Sequence, residues 1–327
     1  MVRRQRGRAS LLTAAVIVAV VMLGVIDVHA KQSTAGASVL GTPATGGAFS
    51  SLAGSRSSNI GSSGAGTLSP IASVARDVSQ LAIAIDAAVA SSGASAGVAL
   101  IELGGTQPAS WSLNGGELFS AASTYKLAAL MLEAENIATG KTDPNATVCF
   151  EDADYESGWF DDYGPGACFT RNELAVRAGI YSDNTAGHML VRDVGGAAVL
   201  NAWAASIGAT SSQFFDGNTT TAADLAVLWD AEAQGELGGT AAQAWLYPVL
   251  TGTRTESGVS VGVSGATVVH KTGTIDLVEN DAALVTAGPN GAYVLVVMTD
   301  GLGGTAGWQL IASISAAVWQ LEAARSD

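Results

Sequence analysis

Apolar positions along this chain recur with two periods. Ile71, Val74, Val78, Leu81, Ile85 and Val89 fall three or four residues apart, which places them on one face of a helix over 71–91. Residues 96–103 and 109–114 read as two short strands joined by a Gly104-Gly105-Thr106 turn, a hairpin. Helical spacing returns over 123–138, with Ser123 at or near the start. The stretch 143–170 has no period; it is acidic and broken by Gly158, Gly164, Pro165 and Gly166. Helices are expected over 171–180, 184–193 and 197–206. After a short loop, 208–218, a helix capped by Thr221 runs to about 233 and another spans 240–250. Residues 267–272, 281–286 and 293–299 read as three successive strands, and a last helix covers 307–324.

Strands at both ends with helices between them predict an α/β chain of the α+β type. One antiparallel sheet would be flanked by the terminal helices, with an all-helical lobe inserted. A site between sheet and lobe is then the natural expectation, because pockets favour such junctions.

The first thirty residues follow a different logic. Arg3, Arg4, Arg6 and Arg8 precede the apolar run 11–26, and Val28-His29-Ala30 gives a small-x-small exit. This is the layout of an export signal, or else of a retained membrane anchor. The run is short for a span, which needs about 20 residues. Both readings place the remainder outside the cytoplasm, touching a membrane only through this segment if it is uncut. Residues 31–68, dominated by Gly, Ser, Ala and Thr, read as a flexible linker that cannot bury enough apolar surface to fold. The folded domain is expected over 69–327.

Composition narrows the function. The chain has 327 residues, 48% hydrophobic and only 13% charged, with net charge −14. That excludes a charged disordered chain and a Glu/Lys-rich coiled coil, and argues against a nucleic-acid-binding surface. Two cysteines and few histidines exclude zinc-finger, iron–sulfur and c-type haem frameworks, and no cofactor or metal is expected. Asp152, Asp154, Glu156, Asp161 and Asp162 lack the spacing and closing Glu of an EF-hand loop. Cys149 and Cys168, in one irregular segment of an exported protein, are expected to form a disulfide, two free thiols being the other reading.

Three short motifs carry the chemistry: Ser123-Thr124-Tyr125-Lys126, Ser182-Asp183-Asn184 and Lys271-Thr272-Gly273. Each alone is weak, but the trio arises by chance in only about one chain in a thousand of this composition. A serine hydroxyl needs a base to become a nucleophile. Positions i and i+3 share a helix face, so Lys126 can reach Ser123. Lys126 acts as a base only when neutral, which requires burial or a nearby cation; Lys271 is the candidate cation. Ser182 can relay a proton, Asn184 can bind an amide, and the strand through Thr272, Gly273 and Thr274 can pair with an acyl substrate. Arg254 is either a further carboxylate ligand or a surface arginine. His270 should face away from Lys271 on a strand, in a packing role. Glu279 and Asp281 are expected to be solvated beside a turn.

In this order the trio resembles the class A β-lactamases and the wider penicillin-recognising serine acyltransferases. Phe119-Ser120-Ala121-Ala122-Ser123, Tyr181 through Ala186, Asn218 through Leu225, and His270 through Thr274 carry the resemblance, over about 70–325. It implies Ser123 as the acylated nucleophile, Lys126 as its activator, Ser182 as relay and Asn184 as ligand to the acyl side chain. Lys271 and Thr272 would hold the substrate carboxylate, and the N–H groups of Ser123 and Thr274 would form the oxyanion hole. The implied partner is a small β-lactam or a peptidoglycan-derived substrate, handled by a monomer. One element of class A enzymes is missing: the loop Glu-x-x-Leu-Asn whose Glu activates the deacylating water. No Glu lies between Asn184 and Asn218, and Asp216 is the only carboxylate in the loop before Asn218. Asp216 either substitutes for that Glu or is a solvated turn residue, the commoner role for Asp there. Weak deacylation, deacylation driven by Lys126 or Ser182, and a persistent acyl-enzyme follow as expectations. The other readings are a penicillin-binding or DD-peptidase-like enzyme acting on stem peptides, and a non-catalytic wall-binding protein.

Overall fold

The computed structural model describes residues 70–326, with side chains from Val78 onward. The expected signal or anchor and the linker lie outside the described residues.

Helix α1 (Pro70–Ser92) leads into β1 (Ser95–Glu102) and β2 (Ser110–Leu113). The chain returns to the sheet only at β7 (Val268–Ile275), β8 (Val278–Gly288) and β9 (Gly291–Asp300), and closes with α9 (Thr305–Ala324). The sheet is antiparallel in the order β2-β1-β9-β8-β7. Between its two halves lie β3 (Phe119–Ser120), a 3-10 turn (Ala122–Thr124), α2 (Tyr125–Ala138), β4 (Thr147–Cys149), β5 (Cys168–Thr170), α3 (Arg171–Gly179), α4 (Asn184–Asp193), α5 (Ala197–Ile207), β6 (Thr219–Thr220), α6 (Ala222–Ala233), α7 (Gly239–Leu246) and the single turn α8 (Val259–Gly262).

The sheet is buried on both faces, which is why β1 and β9 read as nearly unbroken apolar runs rather than alternating ones. Along β9, Tyr293, Leu295 and Val297 point to one core with Leu81, Ile85, Leu310, Ile311 and Val318 from α1 and α9. Their neighbours Val294, Val296 and Met298 point to the other, with Leu127, Leu130, Leu190, Leu225 and Trp229 from the helical lobe. The strand is therefore the wall between two cores. The alternating register of side chains divides them.

Several local expectations are corrected. Ser123 sits in the 3-10 turn rather than in α2, which starts at Tyr125. The expected helix over 240–250 ends at Leu246 and continues as a 3-10 turn through Pro248, whose ring suits a first turn but not a helix interior. The segment 143–170 contains a small ribbon, β4 with β5, in which Cys149 faces Cys168. The two cysteines are bonded. Strand β8 begins at Val278, so Glu279 and Asp281 are strand residues and fully buried rather than solvated. Each has partners that make burial tolerable: Thr274 and Gly304 N–H donate to Glu279, while Val259 N–H and His270 meet Asp281.

Candidate active site

The turn bearing Ser123 is held by backbone geometry that the sequence does not announce. Ala122 takes φ +46, a left-handed conformation that costs a non-glycine residue and persists only when its surroundings fix it. Asn280 on β8 donates to Ser120 O at 2.8 Å, and Asn218 donates to Ala122 O at 2.9 Å. Ala121 N–H in turn donates to Asn218 O at 2.8 Å. Strand β7 lies hard against this turn. A Cβ on Gly273 would stand 2.9 Å from Ala121 O and 3.0 Å from Ser123 N, so glycine is what lets strand and turn meet.

Lys126, one turn along, is fully buried. Its Nζ donates to Ser123 Oγ at 3.0 Å, to Ser182 O at 2.7 Å and to Asn184 Oδ1 at 2.8 Å. Burial pulls its pKa down to about 8, against the opposing pull of Asp183 and Glu156. Two of the three partners are carbonyl oxygens with no proton to give. A neutral Lys126 must therefore turn its lone pair to Ser123, the one partner with a hydroxyl proton. Room for the lysine comes from Gly187 on α4, where a Cβ would lie 2.7 Å from Lys126 Cε.

Ser182 links the two lysines. It holds φ +58 just before α4, with Asp183 beside it as the helix cap, accepting from Ala186 N–H. Lys271 Nζ donates to Ser182 Oγ at 2.9 Å and to Thr272 O at 2.8 Å. Burial, then the charge of Lys126, drives the Lys271 pKa well below its ordinary value. Burial is the largest cause for both lysines, and the repulsion between their two ammonium groups acts on the pair.

A cleft of about 200 Å³ opens at this junction, lined by Ser123, Ser182, Lys271, Thr272 and Thr274 together with Trp159, Thr253, Arg254 and Thr255. Arg254 lies over the Trp159 ring at 5.1 Å, and its backbone N–H is tied to Ile180 O. Hydroxyls, a buried amine and a guanidinium on one wall suit a small substrate carrying a carboxylate. Asn184 is not part of that lining. Its amide donates to Glu156 Oε1 at 3.0 Å and to Ser157 O at 3.2 Å, and accepts from Lys126. Asp216 is exposed in the turn after Phe214 and is not among the lining residues either. Among the described residues, no cluster of His, Cys, Asp or Glu could hold a metal ion.

His270 is on the far side of β7 from Lys271, as expected, but is not merely packed. It is fully buried between Asp281 at 2.9 Å and Glu256 at 3.1 Å. Burial opposes the imidazolium, yet the two carboxylates prevail and raise its pKa to about 10. Glu256 also accepts from Thr253 N–H at 2.6 Å, so the pair fixes the loop that brings Arg254 to the cleft.

A model of the beta-lactamase enzyme family matches residues 80–321. The chain belongs to the beta-lactamase enzyme family. Solved structures agree with a β-lactamase fold. PBP-A superposes with a TM-score of 0.68 at 27% identity, covering 74% of this chain and 96% of that one. A β-lactamase from Sphaerobacter thermophilus DSM 20745 gives 0.66 at 26%, covering 75% and 97%. An ancestral class A β-lactamase gives 0.64 at 24%, covering 74% and 99%, and shows the fold alone. No curated protein matches the chain. The chain is thus a β-lactamase-like hydrolase of the serine type.

Sequence reasoning missed Asn280, Gly187, Glu156 and His188. Asn280 had no clear signal, since it stands between Glu279 and Asp281 in a polar run that reads as a turn. Gly187 had none, because a glycine within a helix says nothing of what crosses it.

Proposed function

We propose that this hydrolase is acylated at Ser123 by β-lactams or related amides, and that it acts outside the cytoplasm. The observation that carries the reading is the contact of Lys126 Nζ with Ser123 Oγ at 3.0 Å in a buried setting. In the proposed step, neutral Lys126 takes the hydroxyl proton as Ser123 Oγ attacks the carbonyl carbon. The C–N bond then breaks, and the leaving nitrogen receives its proton from the Ser182 hydroxyl, which is reprotonated by Lys271 Nζ at 2.9 Å, while Lys126 holds the backbone oxygen of the same serine. Ser123 N–H, against which Gly273 lies, and Thr274 N–H are the proposed oxyanion donors. Thr272, Arg254 and Lys271 would take the substrate carboxylate. Its charge favours the ammonium form of Lys271, which leaves Lys126 neutral and free to act as the base. An exposed disulfide, Cys149–Cys168, supports an oxidising compartment.

Deacylation is proposed to be slow, since Asp216 is exposed and stands apart from the cleft lining. The same feature favours a second reading, a penicillin-binding enzyme that acts on peptidoglycan stem peptides and keeps its β-lactam adduct. The likeness to PBP-A supports it, a variant of which is described as an acyl-enzyme complex with penicillin G. A wall-binding protein without catalysis has less support, because Ser123, Lys126, Ser182 and Lys271 are all bonded together.

Incubating the purified domain with a labelled penicillin and following intact mass decides among these readings. A transient adduct on Ser123 supports turnover, and a persistent one supports the penicillin-binding reading. No adduct, with Ser123→Ala matching wild type, overturns both.

A further inference from the structure

The segment before Ser182 delivers a carboxylate to the active site that no motif announced. Glu156 lies in the irregular stretch after β4, pinned to the start of α4. Its N–H donates to Thr185 Oγ1 at 3.1 Å, and Thr185 Oγ1 donates back to Glu156 O at 2.7 Å. Three residues on, Trp159 N–H donates to buried Asp183 at 2.8 Å. Gly158 passes so close to the Asp183 carboxylate that any Cβ would collide with it. Thus the backbone on both sides of the Glu156 side chain is fixed by α4.

The side chain is fixed as well. Oε1 accepts from Asn184 Nδ2 at 3.0 Å, and Oε2 meets His188 Nε2 at 2.9 Å. The His188 ring stacks edge-on against Phe215 at 4.9 Å, and Phe215 against Tyr125 at 5.6 Å. Asn184 turns its other end to Lys126 at 2.8 Å. The chain of contacts therefore runs from Ser123 through Lys126 and Asn184 to Glu156 without a gap.

We propose that Glu156 is a positioning residue for acylation: it clamps the Asn184 amide against Lys126 and sets a negative charge behind it. This rests on the reading of Lys126 as the base for Ser123. An isolated amide could rotate and leave Lys126 one acceptor short. With Nδ2 held by Glu156 and by Ser157 O, only Oδ1 can face the lysine. The charge acts as well, because a carboxylate at this range favours the ammonium and keeps burial from discharging Lys126 too far. The other groups bearing on Lys126 are Asp183 at the α4 cap, Lys271 on β7, the Tyr125 hydroxyl and, behind Glu156, His188.

The test compares wild type with Glu156→Gln and Glu156→Ala, measuring second-order acylation by a chromogenic cephalosporin across pH. Glu156→Gln keeps an oxygen for Asn184 but no charge. Its acid-side midpoint should move to lower pH by about half a unit, a Coulomb effect over several ångströms of partly screened medium, with little change in plateau. Glu156→Ala should show the same shift and also lose at least about tenfold in plateau rate as Asn184 comes loose. Overlaid profiles, an upward shift, or a loss of rate without a shift in Glu156→Ala would overturn the inference while wild-type acylation left the function intact. Wild type forming no adduct would overturn both.

Discussion

Lys271 donates to the Ser182 hydroxyl at 2.9 Å across 89 residues of chain. On the same serine, Lys126 holds the backbone oxygen at 2.7 Å. Two buried amines thus share one residue, and the site cannot cheaply carry both charges. With Lys126 at about 8 in the free enzyme, acylation should rise with pH and reach half its plateau near that value, because kcat/KM reports free-enzyme ionisations. Lys126→Met, which keeps the volume but not the base, should lower the acylation rate by about 10²–10⁴-fold and abolish that limb. Stopped-flow acylation over pH 5–10 measures both. A wild-type profile flat through pH 8 would remove Lys126 from the role of base.

Gly187 makes the lysine's position possible, and this can be tested far more gently than by removing the lysine. A Cβ there would stand 2.7 Å from Lys126 Cε and 2.8 Å from Tyr125 Oη, both on buried side chains. Gly187→Ala should fold, with a destabilisation of about 1–3 kcal/mol typical of overpacking. The rate of acylation should fall at least about tenfold through misplacement of the base, while KM changes little because Gly187 does not line the cleft. An unchanged rate at full folding would show that Lys126 tolerates displacement.

Much of this was legible in the sequence, for identifiable reasons. The order of elements, the antiparallel sheet and the meeting of Ser123, Lys126, Ser182 and Lys271 follow from periodicity and from three motifs whose spacing suits their chemistry. What was hidden depends on contacts distant in sequence. Glu279 and Asp281 read as solvated because charge beside a turn is normally solvated. Only the fold supplies His270, Thr274 and the Gly304 N–H as partners. Glu156 was hidden likewise, since the irregular segment 143–170 offers seven carboxylates of equal standing, and only the fold sets this one against Asn184.

The His270 network should impress a pH signature on stability. The folded pKa of His270 is raised from 6.5 to about 10, so its contribution is complete below about 6.5 and is lost as pH climbs through 10. Glu256 is lowered from 4.5 to about 2 by its bonds to His270, so its share is complete above about 4.5 and fades as pH falls toward 2. Both contributions are whole only between about 4.5 and 6.5. His270→Gln leaves the fully buried Asp281 without its cation and should cost about 3–5 kcal/mol in that window. The gap from wild type should narrow toward pH 10. Thermal unfolding at pH 5, 7, 9 and 10 checks this, and a gap constant across the series would contradict the pairing. The variant should also raise KM for carboxylate-bearing substrates, because the same network anchors Thr253 next to Arg254.

The bond between Cys149 and Cys168 closes a loop with a sequence separation of 19 that contains Glu156, Trp159 and the contacts to Asp183. Restricting an unfolded loop of that size contributes about 3 kcal/mol. Both sulfurs belong to exposed residues, so reductant reaches them without prior unfolding. The doubly substituted Cys149→Ser, Cys168→Ser protein, and wild type under reductant, should therefore show matching decreases in urea midpoint. The loop carries the residue that clamps Asn184, so the acylation plateau should fall with it, and more than the small residual change in global folding at low denaturant would predict. Equal urea midpoints in the bonded and reduced forms would show that the paired strands and Asp183 hold this loop without the covalent link.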